Sequence, residues 1–418
     1  CEPDQAEAVE RLILDTLERV AAEGVPVENV EAMLHQLELA QREISGDGFP
    51  YGLQLILQTL APTIHGGDPV AALDLDAQLE QLRADCRDPG FIPGLVRRLL
   101  LDNPHRVRLV MAPDPEQGAR EATAERERLD ALRQRLDADA RQQLVARARA
   151  LAQRQQQADD PEQLPRVGLA DVAPDLDIPE GEDRPLDDLP ARWYARGTNG
   201  MAYAQLVLDL PALEPELRDL LPLYATCLTE VGCDGRDYLA QQARQAAGVG
   251  GLGASLMVRN DLAAGGRPRA VLILAGKALV RQRDALAELL TETLDAPRFD
   301  EQSRLRELVA QLRAAREAGV TRAGHALAMT AASSGLNAIA ALAHRWDGLA
   351  GLRALQSLDD TLDQPGTLAR FAECLQTIHQ ALRTSPRRLL VVSEADQQGP
   401  LADALGSRLT GLPAPEPV

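Results

Sequence analysis

Apolar residues recur at helical spacing through most of this chain, and only a few short segments alternate apolar and polar residues with a period of two. Between residues 4 and 23, for example, Val9, Leu12 and Ile13 would share one face of a helix that ends at Gly24. Many helices with few, irregularly placed strands do not fit a regularly alternating α/β fold. The sequence therefore predicts the α+β class: a helix-rich chain with antiparallel or mixed sheets covered by helices.

The same periodicities place individual elements along the chain. Helices are predicted at residues 4–23, 27–44, 51–64, 215–230, 236–247, 280–294, 300–318, 321–334 and 368–384, and strands at residues 105–111, 200–209, 250–258, 269–276 and 388–393.

Two segments between these elements have their own composition. Residues 116–157 are rich in Glu, Arg, Gln, Ala and Leu, with narrow apolar stripes and a break near residues 137–139, which predicts an antiparallel helical hairpin packed on its neighbours. Residues 159–188 are rich in Pro, Asp and Glu, which is typical of a linker that crosses a surface.

Composition and charge narrow the function. The 418 residues are 45% hydrophobic, and 44 Lys plus Arg against 63 Asp plus Glu give a net charge of −19. This balance argues against nucleic-acid binding, which requires clustered cations. No apolar run is long enough to span a membrane, and residues 1–4 lack the pattern of a signal peptide. Five cysteines without a C-x-x-C pair indicate a reducing compartment, which we take as cytoplasmic.

The run Gly248-Val-Gly-Gly-Leu-Gly253 superficially resembles a loop that cradles phosphate. A dinucleotide-binding loop follows a strand and opens a helix, whereas here a predicted helix precedes the run and a strand follows it. We therefore interpret the glycines as the entry to an exposed edge strand. Such an edge could pair with a peptide backbone, although edges more often pair within the fold.

Three groups of polar residues have both a functional and a structural interpretation. His35 and Glu38 lie one helical turn apart and could contribute to a weak metal site, but a polar helix face is favoured. Glu38, Arg42 and Glu43 could form a functional acid pair, but a helix-surface ion pair at four-residue spacing is the default. His325 follows Gly324 at a predicted helix start, where packing or capping is favoured.

Several collinear segments resemble the presequence-protease branch of the pitrilysin and insulinase-type metallopeptidases. The first is Gln41-Arg-Glu-Ile-Ser-Gly-Asp-Gly-Phe-Pro-Tyr-Gly-Leu53. The others, in chain order, are Asn103-Pro-His105, Leu164-Pro165, Leu169-Ala-Asp-Val172, Thr198-Asn-Gly200, Gly248-Val-Gly-Gly-Leu-Gly253, Gly276-Lys-Ala-Leu279 and Gly324-His-Ala326.

This resemblance implies four related α+β domains in the full protein, arranged as two halves joined by a helical hairpin around a chamber. Residues 1–112 would be the C-terminal part of the second domain and residues 113–160 the hairpin linker. Residues 161–418 would hold a linker strand and the third, peptidase-associated domain. Zinc would be bound by the first domain, which is missing here.

The zinc-binding motif of that family, H-x-x-E-H, does not occur in this chain. Only His35-Gln36-Leu37-Glu38 begins a match, and Leu39 stands where the second histidine is required. The sequence therefore predicts no catalytic residue and no metal-binding residue here, no cofactor bound by this chain, and inactivity of this chain alone. It does not identify substrate-binding residues.

The sequence thus predicts a non-catalytic portion of a zinc metalloendopeptidase that degrades short unfolded peptides, forming chamber wall and hinge. Its partners would be the remaining domains of the same polypeptide and unstructured peptides, with no nucleic acid and no membrane. The alternative is a catalytically inert interaction or scaffold protein with a helical partner-binding surface.

Overall fold

The computed structural model describes residues 3–44, 49–157, 165–166, 168–172, 174–175, 178–261 and 267–409. The chain divides into two compact units. The first comprises Cys1–Glu23 and Pro93–Ile178, and the second Gly24–Ile92 and Pro179–Val418. These units do not coincide in sequence with the predicted domains at residues 1–112, 113–160 and 161–418, and that domain assignment stays a prediction.

The described residues form a helix-rich structure with one mixed sheet, so the predicted α+β class is confirmed. The helices are α1 (Ala6–Glu23), α2 (Val27–Arg42), α3 (Tyr51–Ile64), α4 (Leu75–Asp85), α5 (Phe91–Val96), α6 (Gln117–Arg135), α7 (Ala138–Gln156), α8 (Pro215–Asp219), α9 (Leu221–Leu228), α10 (Tyr238–Gly248), α11 (Arg283–Asp295), α12 (Gln302–Val320), α13 (Gly324–Ser333), α14 (Ala338–Trp346), α15 (Leu349–Thr361), α16 (Thr367–Arg383) and α17 (Gln398–Leu409). The strands are β1 (Glu182–Asp183), β2 (Ala191–Ala195), β3 (Met201–Asp209), β4 (Leu252–Asp261), β5 (Arg267–Leu279) and β6 (Arg387–Ser393).

The first unit contains α1, a π-helical turn at Arg97–Leu101, and the pair α6 and α7. The Arg97 guanidinium donates a 2.9 Å hydrogen bond to the carbonyl of Ala21, which ties this turn to the last part of α1. Arg108 bonds Glu10 on α1 at 2.6 Å. These contacts hold the segment after residue 97 beside α1.

The strand predicted at residues 105–111 is wrong. This segment has no regular secondary structure, and Val107, Leu109 and Met111 are 80–86% exposed. A strand is stabilised by hydrogen bonds to a neighbouring strand. The described residues of the first unit form no strand with which the alternating segment could pair.

The two helices of the predicted hairpin are confirmed, with a break at Leu136 and Asp137. The carboxylate of Asp137 accepts a 2.8 Å hydrogen bond from the backbone N–H of Ala140 and so caps α7. Among the described residues the apolar stripes of both helices are about half exposed, so the expected packing of the hairpin on its neighbours stays a prediction. The exposed residues are Leu129, Leu132, Leu144, Val145 and Leu151.

The second unit is built on a six-stranded sheet in the order β1-β2-β6-β3-β5-β4. Strands β2 and β6 are parallel, and every other neighbouring pair is antiparallel. Strand β3 lies between β6 and β5, with Leu206 opposite Leu389 on one side and Leu274 on the other. The two strands that pair with β3 therefore come from distant parts of the sequence.

One face of this sheet carries the main hydrophobic core. Inward-facing residues of β3 and β5 are fully buried, because period-two alternation directs every second side chain to the same face. Helices α9, α11 and α16 cover that face with residues such as Tyr224, Leu286 and Ile378. The core therefore lies between the sheet and its helical layer.

Several predicted boundaries shift for identifiable reasons. The helix expected at residues 215–230 is divided into α8 and α9, because Pro222 begins a new first turn. The linker expected at residues 159–188 lies partly outside the described residues, but its last part forms β1, and Leu186 is buried. Strand β2 and helices α14, α15 and α17 were not predicted.

None of the helices formed by the described residues is both long and apolar enough to cross a membrane. Cys86, Cys227, Cys233 and Cys374 are free thiols.

Candidate functional site

Helix α2 packs on α10 and on the end of the β4–β5 hairpin through a face that contains polar side chains. His35, Glu38 and Leu39 are its buried residues, and Glu38 is only 1% exposed. The predicted polar surface face for His35 and Glu38 is therefore wrong. A stripe of His, Glu and Leu gives no sign in the sequence that it will be buried, since its partners lie far along the chain.

The carboxylate of Glu38 is surrounded by three arginines, which with it are termed here the Glu38 cluster. Arg42 donates to Oε1 of Glu38 at 2.8 Å, one turn along the same helix. Arg281 donates to both carboxylate oxygens, at 2.9 and 2.5 Å, and Arg83 of α4 donates to Oε2. A buried carboxylate is tolerated when its oxygens accept charge-assisted hydrogen bonds in this way.

The charge distribution fixes the ionisation of this cluster. The hydrogen bonds from Arg281 are the main cause of a lowered Glu38 pKa, about 2, while burial acts in the opposite direction. The same bonds raise the pKa of Arg281. Glu38 therefore stays a carboxylate throughout the physiological range and acts as a permanent acceptor.

Further polar contacts fix the position and orientation of α2. Nε2 of Gln36 donates to the carbonyls of Ala246 and Val249, at 2.6 and 2.7 Å. Lys277 of β5 bonds both carboxylate oxygens of Glu43 at 2.6 Å. Together with the Glu38 cluster, these bonds join α2 to α10 and β5 at three places.

The glycine run after α10 makes this close approach possible. A Cβ at Gly250 would lie 3.0 Å from Cγ of Lys277 and 3.4 Å from a methyl of Leu39, so a side chain there would press on α2 and β5. Gly251 has a φ of +110°, a conformation that L side chains rarely adopt. The predicted order of helix, glycine run and edge strand is confirmed, with α10 before the run and β4 after it.

His35 lies against this run, and burial is the main cause of its lowered pKa. The positive charges of Arg281 and Arg83 act in the same direction. Within the part of the chain that the structure describes, no group of three His, Cys, Asp or Glu residues is placed to hold a metal ion. The arrangement around Glu38 is chemically an ion-pair anchor.

The remaining candidate residues lie elsewhere. His325 is exposed in the first turn of α13, so packing, the first of its two predicted roles, is wrong, and the helix has no side-chain hydrogen bond at its N-cap, Ala323, to represent the second, capping. Burial raises the thiol pKa of Cys227 and of Cys233 to about 12 in each case, which keeps both thiols protonated and poorly nucleophilic.

Sequence reasoning identified Glu38 and Arg42 as a pair but missed Arg83, Arg281 and Gln36. Arg83 is 45 residues from Glu38, and Arg281 is 243 residues away. Neither has a motif around it that marks it as a partner. Lys277 had a signal, since it lies in one of the segments that carry the family resemblance.

Comparison with known proteins assigns the larger part of the chain to a family, in a range that includes Arg281 of the Glu38 cluster. The model of the family described as peptidase M16 (subfamily C) associated matches residues 111–358, more than half of the chain. The chain belongs to this peptidase-associated family. The resemblance to presequence proteases expected from the sequence is confirmed by relatives that match most of the chain.

"Presequence protease 1, chloroplastic/mitochondrial" of Arabidopsis thaliana is 29% identical over 369 residues, 86% of this peptidase-associated chain and 34% of that protein. "Presequence protease, mitochondrial" of Xenopus laevis is 25% identical over 370 residues, 88% of this chain and 36% of that protein. "Protein HypA" of Clostridium perfringens is 21% identical over 331 residues, 78% of this chain and 34% of that protein. The peptidase-associated chain thus spans about a third of the length of these relatives.

Proposed function

We propose that this chain is a non-catalytic portion of a zinc metalloendopeptidase that degrades short unfolded peptides, in which it forms chamber wall and hinge. The observation that carries the proposal is the match to the peptidase-associated family together with relatives named presequence proteases. The chain spans about a third of those relatives, so chemistry performed by the whole protein need not reside in this part.

Surface composition supports the remaining domains of the same polypeptide as partners. Helix α3 contains no charged residue, yet Ile56, Leu57, Leu60 and Ile64 are 47–69% exposed. The apolar stripes of α6 and α7 are exposed to a similar extent. Apolar surface of this kind favours contact with another protein surface. A scaffold that binds an unrelated partner would have the same property, so activity must distinguish the two functions.

Zinc does not fit the described residues of this chain. Among the described residues, no third His, Cys, Asp or Glu lies where it could complete a metal site with His35 and Glu38. Each oxygen of Glu38 also already accepts hydrogen bonds from arginine. Three guanidinium groups around one carboxylate also disfavour a further cation. We therefore propose that zinc is bound by another domain, and that the residues described here hold no cofactor.

The proposed roles as chamber wall and hinge follow from a difference between α2, which is fixed by many polar contacts, and the hairpin helices α6 and α7, which bury little apolar surface. The Glu38 cluster and the glycine run fix α2 to the sheet, as a wall requires. The break at Leu136 and Asp137, between helices with little buried apolar surface, is the proposed hinge. Unstructured peptides are the proposed substrates, with no role for nucleic acid or membrane, in keeping with the net charge of −19.

Location in a reducing compartment is supported by the free thiols of Cys86, Cys227, Cys233 and Cys374. The eukaryotic relatives bear names that place them in mitochondria or chloroplasts. The cytoplasmic location predicted for this chain stays a prediction.

The decisive experiment measures zinc content and hydrolysis of an unstructured peptide, first with this chain and then with the complete polypeptide to which it belongs. We expect hydrolysis and bound zinc only in the complete polypeptide. A folded complete polypeptide that binds zinc and cleaves no peptide would instead support the inert scaffold. For the hinge, a cross-link between α6 and α7 should slow turnover of the complete enzyme, and unchanged turnover would contradict that role.

A further inference from the structure

Strand β4 is an edge of the six-stranded sheet. It pairs with β5 over ten residues, and no strand among the described residues pairs with its other side. Charged residues and proline are the usual means by which an exposed edge is kept from pairing. In β4 the charged residues Arg259 and Asp261 stand at its C-terminal end, and residues 252–258 contain neither a charge nor a proline. The unpaired N–H and C=O groups of β4 therefore form a template for one more extended chain.

The layer of side chains beneath β4 is also incomplete. Leu272 and Leu274 of β5 are fully buried, whereas their register partners on β4, Leu256 and Ala254, are only half-buried on the same face. An inward-facing position on a central strand is shielded by neighbours on both sides. Leu256 and Ala254 lack this shielding on the open side of β4, where one further strand could cover them.

A groove of about 360 Å³ lies beside these residues, between β4, α9 and α14. Its lining includes Ser255 and Val258 of β4, Thr226 of α9 and Ala343 of α14. A second cleft of about 230 Å³ adjoins it, since both are lined by Pro222, Arg316 and Trp346. The second cleft is mostly apolar; among its lining residues are Leu312, Leu355 and Leu358.

Arg316 supplies a positive charge where the two cavities meet. Its Nη1 donates to the carbonyl of Trp346 at 2.7 Å, while its Nη2 is 3.4 Å from a carboxylate oxygen of Asp347, a long contact. Asp347 is 73% exposed on its side chain, so water screens its charge. The guanidinium is therefore held in position and can still bind a carboxylate.

We propose that this groove binds an extended peptide as a seventh strand beside β4, with an apolar side chain in the second cleft and the peptide's C-terminal carboxylate on Arg316. An extended backbone matches the unpaired groups of β4, because it alone presents donors and acceptors at strand spacing. Arg316 is the charged residue that lines both cavities; Asp347 also lines the groove, and Asp219 and Arg345, which pair with each other, line the second cleft. A peptide carboxylate would take the place of the long Asp347 contact on Arg316. The choice of a peptide as ligand rests on the proposed function, and the groove adds a binding site to it.

The test uses this 418-residue chain and a fluorescein-labelled eight-residue peptide of alternating apolar and polar residues. Three forms are compared by anisotropy titration: free C-terminal carboxylate, C-terminal amide, and a form N-methylated at alternate residues on the hydrogen-bonding edge, prepared in both registers. We expect the free acid to bind about tenfold more tightly than the amide. N-methylation in one of the two registers should weaken binding at least about tenfold, since it removes strand hydrogen bonds.

Two matched variants locate the carboxylate. Arg316→Gln should bind acid and amide equally, whereas Arg322→Gln, which changes an exposed arginine just after α12, should keep the preference of the unchanged chain. If Arg316→Gln does not fold, as judged by circular dichroism, the acid and amide forms on the unchanged chain still decide. Ala343→Phe, which fills the groove, should weaken all peptides.

Equal affinity for acid and amide on the unchanged chain, or binding unaffected by N-methylation in both registers, would overturn this inference. The result is independent of catalysis. If the complete polypeptide hydrolyses peptides but none binds at this groove, the groove inference is wrong and the proposed function stands. If peptides bind at the groove but the complete polypeptide does not hydrolyse them, the groove inference stands and the proposed function is wrong.

Discussion

The guanidinium of Arg281 donates to both carboxylate oxygens of Glu38, at 2.9 and 2.5 Å, across 243 residues of sequence. Bidentate geometry uses the planar fork of arginine, which a lysine does not possess. The pair fixes the register of α2 relative to the end of β5. Loss of the Glu38 carboxylate would remove the acceptor of the bonds that Arg281 and Arg83 donate to it, whereas Arg42 would keep its bond to Asp76.

Substituting Glu38→Gln should lower the free energy of unfolding by about 2–3 kcal/mol, because three arginines lose their common charge partner and one of them, Arg42, lies on the same helix. The measurement is urea denaturation followed by circular dichroism. Glu31→Gln, an exposed position on the same helix, is the matched control and should change the free energy by less than about 0.5 kcal/mol. Equal effects of the two substitutions would contradict the anchor.

Glu38 also predicts an acid dependence. Its folded pKa, about 2, is below its ordinary value of 4.5, so the stability it contributes is complete above pH 4.5 and is lost as the pH falls toward 2. The difference in unfolding free energy between the unchanged chain and Glu38→Gln should therefore shrink through this range. A difference that stays constant from about pH 5 to about pH 3 would show that ionisation of Glu38 does not matter.

His379 predicts a second pH dependence in a milder range. It is 1% exposed, its Nδ1 lies 3.0 Å from the hydroxyl of Tyr224, and burial lowers its pKa from 6.5 to about 4. Since the unfolded chain binds a proton that the folded chain does not, stability should fall as the pH drops from 6.5 toward 4. The expected loss is on the order of 3 kcal/mol over that interval.

Comparison of urea midpoints at about pH 7 and about pH 5 checks this effect. The His379→Gln chain should be less stable at the higher pH but should show a smaller difference between the two pH values. Some difference will remain, because burial also lowers the pKa of His35. A pH difference as large in the variant as in the unchanged chain would exclude His379 as its source.

Two glycines of the same run should respond differently to alanine. Gly251 has a φ of +110°, so Gly251→Ala should cost about 1–2 kcal/mol. Gly253 has no atom within 4 Å of an added Cβ and no left-handed backbone, so Gly253→Ala should be neutral or slightly stabilising. Thermal unfolding of both variants measures the contrast, and equal melting temperatures would show that the backbone at Gly251 is not constrained.

The exposed stripes of α6 and α7 give a prediction that separates this chain from the complete polypeptide. Leu132→Gln should change the stability of this chain by less than about 0.5 kcal/mol, since Leu132 is 52% exposed. In the complete polypeptide the same substitution should destabilise by about 1 kcal/mol or more if another domain covers the stripe. Gln142→Ala, elsewhere in the hairpin, is the control. An equally small effect of Leu132→Gln in both proteins would show that no other domain covers the stripe.

The sequence predicted the central strands well because alternation alone defines a half-buried strand. The predictions at residues 200–209 and 388–393 differ from β3 and β6 by a single residue at one end. Strand β2 was missed because Ala191–Ala195 is short and follows a segment rich in Pro and Asp. The alternation at residues 105–111 predicted a strand where none forms. A period of two indicates a preference for extended backbone, but a strand forms only when a neighbouring strand is present to pair with it.

The Glu38 cluster was harder to predict from the sequence for a related reason. The spacing of Glu38 and Arg42 revealed one ion pair, and the default for such a pair is the helix surface. What buries Glu38 is the arrival of Arg83 and Arg281 from α4 and from the end of β5, which no local pattern encodes. The glycine run was found, but the contacts that explain Gly250 required the positions of Leu39 and Lys277.

The position of β6 in the sheet has a consequence for how the chain folds during synthesis. Strand β3 ends at Asp209 and its neighbour β6 begins at Arg387, so the 177 residues from 210 to 386 separate the two. At a ribosomal rate of roughly 5–20 residues per second, β3 emerges about 10–35 s before β6 can pair with it. During that interval β3 and β5 can form an antiparallel pair, but β3 has an open second edge on the growing polypeptide. The sheet is therefore exposed to mispairing longest at its centre, and protection of β3 falls to helices made in the meantime or to a chaperone.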